Sequence, residues 1–230
     1  MNRNILIVGG TSGIGAALVE HLRKEGDNLL LLSRRPPSVN DSSIKHHTFD
    51  ATIDPLPTEI LPEQLDGLVY CPGSINLKPF RSLKAQHFEE DFRINVLGAV
   101  NVLQATEKAL KAAGGSVVLF STVAVSQGMA FHASTATSKA AVEGLARSLA
   151  AEWAPRVRVN VIAPSLTNTP LAERLLNNEQ KKQAAAERHP LKKIGSPGEI
   201  AAMAAFMLSD EAQWITGQVF GVDGGMSTLR

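Results

Sequence analysis

Residues 4–22 read NILIVGGTSGIGAALVEHL, an apolar run that breaks into a glycine-rich turn and resumes as a helical pattern. Ile5–Val8 is short, unbroken and β-branched, as a strand buried on both faces requires. Beyond the turn, Leu18, Val19 and Leu22 recur at helical spacing. The turn itself holds Gly9, Thr11, Ser12, Gly13, Ile14 and Gly15. Glycines at such a strand-to-helix junction let backbone approach a pyrophosphate, which rests on the N–H groups of the helix start. The spacing is G-x-x-x-G-x-G rather than the commoner G-x-G-x-x-G, but the strand before, the helix after and a second strand at Asn28–Leu32 supply the context that dinucleotide binding needs.

The same alternation runs to the end of the chain. Strands are expected at Ile5–Val8, Asn28–Leu32, Lys45–Phe49, Gly67–Cys71, Ser116–Phe120, Val157–Ile162 and Gln218–Val222. Helices are expected at Gly13–Glu25, Gln86–Ala112, Thr137–Trp153 and Pro197–Leu208, with Gly26 and Gly114 where helix C-terminal glycines belong. Strands alternating with helices imply βαβ units, hence an α/β, Rossmann-type doubly wound fold with helices on both faces of a parallel sheet, α/β/α in three layers. Residues 1–230 read as one such domain. Residues Pro36 to Pro62 are proline-rich and poor in apolar residues, which predicts a short, irregular crossover. The polar segment around 166–190 is helical in pattern and placed as substrate lids are; its Leu171, Leu175 and Leu176 suit either a cover over an apolar substrate or plain packing.

Bulk properties narrow the function. The composition is 44% hydrophobic and 20% charged, and 23 basic against 22 acidic residues leave a net charge of +1. That balance creates no broad field for nucleic acid or an anionic membrane. The N-terminal apolar run is too short for a signal peptide, no run approaches a membrane span, and Cys71 is the only cysteine, so a cytoplasmic protein with a small-molecule ligand is expected. His46-His47 lacks a third ligand at suitable spacing; strand-edge histidines, and no metal, are the reading preferred.

The second strand ends in Leu32-Ser33-Arg34-Arg35. In a dinucleotide fold this point meets the adenosine ribose. A carboxylate there would bind the 2′-hydroxyl of NAD(H), whereas arginine pairs with the 2′-phosphate of NADP(H). The sequence has no Asp or Glu nearby before Asp41, which favours NADP(H). Asp50, after the third strand, suits either the adenine amino group or a turn.

Six segments resemble the short-chain dehydrogenase/reductase family over essentially the whole chain. They are VGGTSGIG at 8–15, FRINVLGA at 92–99, VVLFSTVA at 117–124, SKAAVEGLARSLAAEWAP at 138–155, RVNVIAP at 158–164 and ITGQVFGVDGG at 215–225. The resemblance implies a seven-stranded parallel sheet, a homotetramer or homodimer, and hydride transfer between a nicotinamide and a carbonyl or alcohol carbon. It assigns Asn95 and Lys139 to the family's catalytic positions and Thr169 to the nicotinamide amide, after the turn Pro164-Ser165. Ser33, Arg34, Arg35, Asp50, Ala51, Cys71, Pro72, Gly73, Pro164 and Thr167 then fall along the cofactor.

The departures bear on the chemistry. The family's tyrosine stands four residues before the lysine, a position held here by Thr135; the one tyrosine, Tyr70, belongs to the fourth strand. The partner serine is replaced by Thr122, and the family's N-N-A-G by Tyr70-Cys71-Pro72-Gly73. Carbonyl reduction needs a proton for the developing alkoxide, and a threonine hydroxyl does not ionise in a useful range. His132, seven residues before Lys139, is a titratable substitute. That spacing is similar to the enoyl-thioester reductase branch of the superfamily, and AAEWAP at 150–155 is similar to dienoyl-thioester reductases. His132 could equally cap or pack a loop. The expectation is an NADP(H)-dependent oxidoreductase acting on a small or apolar carbonyl or alcohol, with 2-enoyl-thioester reduction and a non-catalytic NADP(H) sensor or structural protein as alternatives.

Overall fold

A computed structural model describes residues 2–39 and 41–229. Strands β1 (Asn4–Val8), β2 (Asn28–Ser33), β3 (Ile44–Thr48), β4 (Gly67–Tyr70), β5 (Ser116–Phe120), β6 (Arg158–Pro164) and β7 (Val219–Val222) form one seven-stranded sheet of order β3-β2-β1-β4-β5-β6-β7. Every pairing is parallel. The order reverses between β1 and β4, where Val8 is flanked by Leu32 on one side and Tyr70 on the other. Open α/β sheets bind ligands beyond the carboxyl ends of the strands at such a reversal.

Alternate side chains of each strand serve opposite faces. Leu6, Val8, Leu68 and Tyr70 pack beneath α3 (Gly98–Ala113) and α5 (Ala133–Trp153), together with Leu103, Leu110, Val142 and Trp153. Ile5, Ile7, Val69 and Val118 face α1 (Gly13–Lys24) and α7 (Pro197–Leu208), meeting Leu18, Leu22, Ile200 and Leu208. Burying a leucine or isoleucine this fully contributes about 1.5–3 kcal/mol, so the two layers of helix are held by matched apolar faces. Trp153 is in the core with the Lys111 ammonium 5.8 Å from its ring centroid, whereas Trp214 stands wholly in solvent.

The helix expected at Gln86–Ala112 is interrupted. The α2 helix (Ala85–Phe92) passes through a π turn at Arg93–Leu97 before α3 begins. The cause is local: the Asn95 side-chain Nδ2 donates to the Asp91 carbonyl at 2.8 Å, the acceptor its own N–H would take in an α-helix. The ladder then steps to i−5, with the Gly98 N–H on the Arg93 carbonyl. The α5 helix also begins four residues earlier than its periodicity suggested, because Ser134 and Thr135 are polar but buried. Among the described residues between 36 and 62, the crossover holds β3 and a 3₁₀ turn at Thr58–Ile60. A four-residue turn, α4 (Ala124–Gln127), precedes α5, and segment 166–190 holds a 3₁₀ stretch at Pro170–Leu175 and a short helix of its own, α6 (Glu179–Glu187).

Gly98 marks how tightly the π turn is seated. A Cβ there would lie 2.2 Å from Tyr70 Oη and 2.8 Å from the Ala51 carbonyl. Tyr70 Oη donates to the Ile94 carbonyl at 2.6 Å from a 3% exposed site. Gly98→Ala is therefore expected to cost about 1–3 kcal/mol through overpacking. Adding Tyr70→Phe, which removes the nearer clash, should restore part of the loss in chemical denaturation; a neutral Gly98→Ala would contradict this packing.

Candidate active site

The glycine turn is shaped by close backbone packing. Gly9 and Gly13 have positive φ (79° and 53°), and a Cβ on Gly15 would come within 2.3 Å of the Gly9 carbonyl. Ser12, the N-cap of α1, makes no side-chain bond to the helix start, and no acidic residue occupies the first turn. The first N–H groups and the positive end of the helix are thus left for an anion. Thr169 packs over Gly13, its Cβ 3.3 Å from where a glycine side chain would begin. These features fit a dinucleotide pyrophosphate.

One cleft of about 870 Å³ opens beside this turn. Ile14, Cys71, Gly73, Thr122, His132, Thr135, Lys139, Pro164, Thr167 and Thr169 all contribute to its wall, so residues up to 155 positions apart in sequence meet there. Asn95 lies directly behind, 1% exposed. Pro72 sits against Gly9, and Thr11 and Ser12 complete the turn. Ser33, Arg34, Arg35, Asp50 and Ala51 lie apart from the cleft, at the carboxyl ends of β2 and β3. Both arginine side chains are exposed there, and neither is in a salt bridge among the described residues. Ser33 Oγ donates to the Arg35 carbonyl at 2.8 Å. Asp50 Oδ1 accepts from the hydroxyl (2.6 Å) and N–H (2.9 Å) of Thr52, which hold its carboxyl below the usual range. That is the turn-forming arrangement. Among the described residues no group of three or more His, Cys, Asp and Glu is placed to hold a metal ion.

The first turns of α5 carry the site. Thr135, Ser138, Lys139 and Val142 follow one buried stripe, polar where it meets the cleft and apolar where it continues into the core. Thr135 Oγ1 accepts from the Asn76 N–H at 3.2 Å. His132 is the N-cap of α5, with Nδ1 paired to the Ala130 carbonyl at 2.8 Å. That bond requires the proton on Nδ1 in the neutral ring and leaves Nε2 as acceptor. Thr122 Oγ1 accepts from the Ala124 N–H at 3.3 Å. Lys139 Nζ donates to the Phe120 carbonyl at 2.9 Å. Burial holds its ammonium down to about 8, opposed by the Asp91 carboxylate. Desolvation likewise pushes the Cys71 thiol up to about 12. Tyr70 is on the far face of the sheet under α3, its hydroxyl pushed up by burial, and does not border the cleft.

Sequence reasoning missed a polar cluster behind the wall. Asp91, wholly buried, accepts from Ser74 Oγ (2.5 Å), Asn76 Nδ2 (2.6 Å) and Ser134 Oγ (2.5 Å). One signal was available: Asp91 and Asn95 stand four apart, on one face of the helix expected at Gln86–Ala112.

A glycine-rich turn at the reversal of a parallel sheet, with a buried lysine and an asparagine-kinked helix beside it, is the arrangement of a dinucleotide-binding α/β fold. A family model described as enoyl-(acyl carrier protein) reductase matches residues 8–227. A tropinone reductase homologue of Arabidopsis thaliana is 31% identical over 98% of this chain and 91% of its own length. The 3-oxoacyl-(acyl-carrier-protein) reductase MabA of Mycobacterium tuberculosis is 29% identical over 98% and 93%. Among solved structures, ligand-free aldohexose dehydrogenase of Thermoplasma acidophilum superimposes with a TM-score of 0.91 at 28% identity, covering 100% of this chain and 95% of that one. ElxO with NADP bound gives 0.90 at 25% identity, covering 98% and 99%. The chain belongs to the short-chain dehydrogenase/reductase family and is an oxidoreductase of that type.

The buried lysine gives a pH-dependent stability. Lys139 holds its proton less readily folded (about 8) than unfolded (10.5). Below pH 8 the folded chain bears the whole cost of the buried ammonium, on the order of 3 kcal/mol, and the cost fades between about 8 and 10.5. Lys139→Met should therefore melt higher than the parent at pH 7, with a smaller gain at pH 10. An equal gain at both would mean that the lysine is not held in this way.

Proposed function

We propose that the protein is an NADP(H)-dependent oxidoreductase that moves hydride to or from the carbonyl or alcohol carbon of a small or apolar substrate. The observation that carries this reading is the meeting of Thr122, His132, Thr135 and Lys139 in one cleft beside the glycine turn, with Asn95 behind it. Arg34 and Arg35 at the end of β2 would take the 2′-phosphate, and the absence of a carboxylate at residues 33–40 removes the partner that NAD(H) would use. The solved relative ElxO has NADP bound, which supports that preference.

In this reading the nicotinamide cofactor supplies the hydride when bound, and the chain's own groups handle the rest. Asn95 and Lys139 order the ribose side of the cleft. Thr122 donates a hydrogen bond to the substrate oxygen. Because Thr135 stands where the family has its tyrosine, the active site is an atypical one, and the alkoxide proton comes from His132, from Thr135 or from a water that they hold. Residues 166–190 form the lid, with Leu171 and Leu175 giving the cleft its apolar side. Lys181 on the lid helix and Arg188 at its C-cap border the same cleft and have no acidic partner among the described residues. They favour a substrate whose apolar body carries an acidic group. By analogy with the family the chain works as a homodimer or homotetramer, which would cover the exposed Phe92 and Leu97.

A second reading, reduction of a C=C bond in a 2-enoyl thioester, draws support from the seven-residue spacing of His132 and Lys139 and from the description of the matching family model. The test is NADPH oxidation, followed by absorbance, against ketones, aldehydes, quinones and 2-enoyl thioesters, each acidic compound paired with its methyl ester. Turnover of carbonyl compounds, faster for the acids, is expected. Turnover of enoyl thioesters alone would select the second reading. NADPH binding without turnover across the panel would point to a non-catalytic sensor instead. Arg34→Asp should weaken NADPH binding at least about tenfold more than NADH binding; an unchanged preference would overturn the cofactor assignment. His132→Ala should lower turnover about 10²-fold or more if it is the donor, and an unaltered rate and pH profile would remove it from that role.

A further inference from the structure

Asp91 is a buried carboxylate that the chemistry above leaves unused. It lies in the last turn of α2 at 0% exposure. Ser74 and Asn76, from the loop after β4, donate to Oδ1, and Ser134, in the first turn of α5, donates to Oδ2. One carboxylate thus ties three separate segments of the cleft's back wall. Burying a carboxylate costs several kcal/mol before its hydrogen bonds are counted, and an apolar side chain of similar volume often serves stability as well or better. Structural support alone is a weak reason for a charge at this point.

The neighbouring Asn95 shows what the cluster holds. Its Nδ2 donates to the Asp91 carbonyl (2.8 Å) and to Ser74 Oγ (3.0 Å), and Ser74 in turn donates to Asp91. Ser138 Oγ is a third, longer acceptor at 3.3 Å, so both amide hydrogens are committed to this cluster. The opposite atom, Asn95 Oδ1, is buried with no hydrogen-bond partner among the described residues. It is aimed at the space over Gly73, where a Cβ would lie 3.3 Å from Oδ1 and 3.4 Å from Lys139 Nζ. An orphan acceptor and an ammonium converge on one point that only glycine leaves open. If the Asn95 amide turned over, Nδ2 would face the ammonium and two donors would oppose each other. Asn76 extends the cluster to the cleft wall itself, because its N–H is the donor to Thr135 Oγ1.

We propose that Asp91 is a positioning residue of the active site, acting through Ser74 and Asn76 to fix the Asn95 amide with Oδ1 turned toward Lys139, and to seat the Thr135 hydroxyl. The proposal rests on the reading of Asn95 and Lys139 as active-site residues. The charged and titratable groups around Lys139 are Cys71 from the loop after β4, Asp91 from α2, and His132 and Glu143 on its own helix. Glu143 is engaged by Ser121 (2.7 Å) and Arg147 (3.2 Å). Of these, Asp91 bears on the ammonium near its midpoint and favours the protonated form, because the Cys71 thiol is still neutral there.

Two readouts test this without depending on turnover. In protein labelled with ¹³Cε-lysine, with the Lys139 signal assigned by its loss in Lys139→Met, the parent should titrate near 8. Asp91→Asn, which keeps the shape and removes the charge, should lower that midpoint by about half a pH unit or more. The Asn95 side-chain amide protons should be protected in the parent and exchange at least about tenfold faster in Asp91→Asn and in Ser74→Ala. Where the panel above yields a substrate, Asp91→Asn should lower kcat about tenfold with the KM for NADPH within about twofold. An unchanged lysine midpoint together with unchanged Asn95 exchange would overturn the proposal. If Asp91→Asn does not fold, the exchange of Asn95 in Ser74→Ala decides alone. A parent without turnover but with the expected lysine and amide shifts would sink the enzymatic reading and leave the positioning role standing.

Discussion

The approach of α1 to the sheet is limited by one contact, the α-hydrogen face of Gly15 against the Gly9 carbonyl, where a side chain would have to sit at 2.3 Å. That contact sets the angle at which β1 delivers the chain into α1, and hence where the open end of the helix points. Because β1 is the strand from which the sheet order reverses, the same geometry opens the crevice between the loop after β1 and the loop after β4. Pro72 and Cys71 pack against Gly9, and Thr169 against Gly13, so both walls of the cleft are measured from the turn. A larger residue at Gly9 or Gly13 would displace the turn and the segments packed on it together.

Polar groups on the other wall are organised by a second economy of space. The π turn exists because an asparagine side chain takes a helical acceptor, and its kink brings Asn95 behind Gly73. The α5 helix places Thr135 and Lys139 one turn apart on the stripe that faces the same point. The core beneath them is mostly apolar, so these buried polar groups take their partners close by. Among the described residues, Asn95 Oδ1 is the buried side-chain atom that has none.

Much of the architecture could be read from residue order alone. The parallel sheet followed from short apolar runs separated by helical periodicity, and Gly26 and Gly114 have the positive φ (84° and 71°) expected just past helix ends. Helix boundaries were less legible where side chains compete with backbone. Ser134 and Thr135 look like a loop because they are polar, yet tertiary partners bury them in the first turn of α5. Asn95 hides a π turn because its effect depends on a side-chain rotamer that no periodicity encodes. Thr122, His132, Thr135 and Lys139, which the fold gathers along one cleft, stood out in the sequence by type and spacing. Asp91 did not, since an acidic residue in Glu89-Glu90-Asp91 reads as a solvated helix face until Ser74, Asn76 and Ser134 arrive from elsewhere in the chain.

The two tryptophans occupy opposite extremes, Trp153 at 3% exposure under the lysine of α3 and Trp214 bare to solvent before β7. Their light emission is therefore separable. A ring sealed among aliphatic side chains emits toward the blue and is shielded from dissolved quenchers, whereas a hydrated one emits toward the red and is quenched on collision. The folded chain thus carries two built-in reporters, one answering to loss of the core and the other to whatever comes to cover the surface beside the last strand.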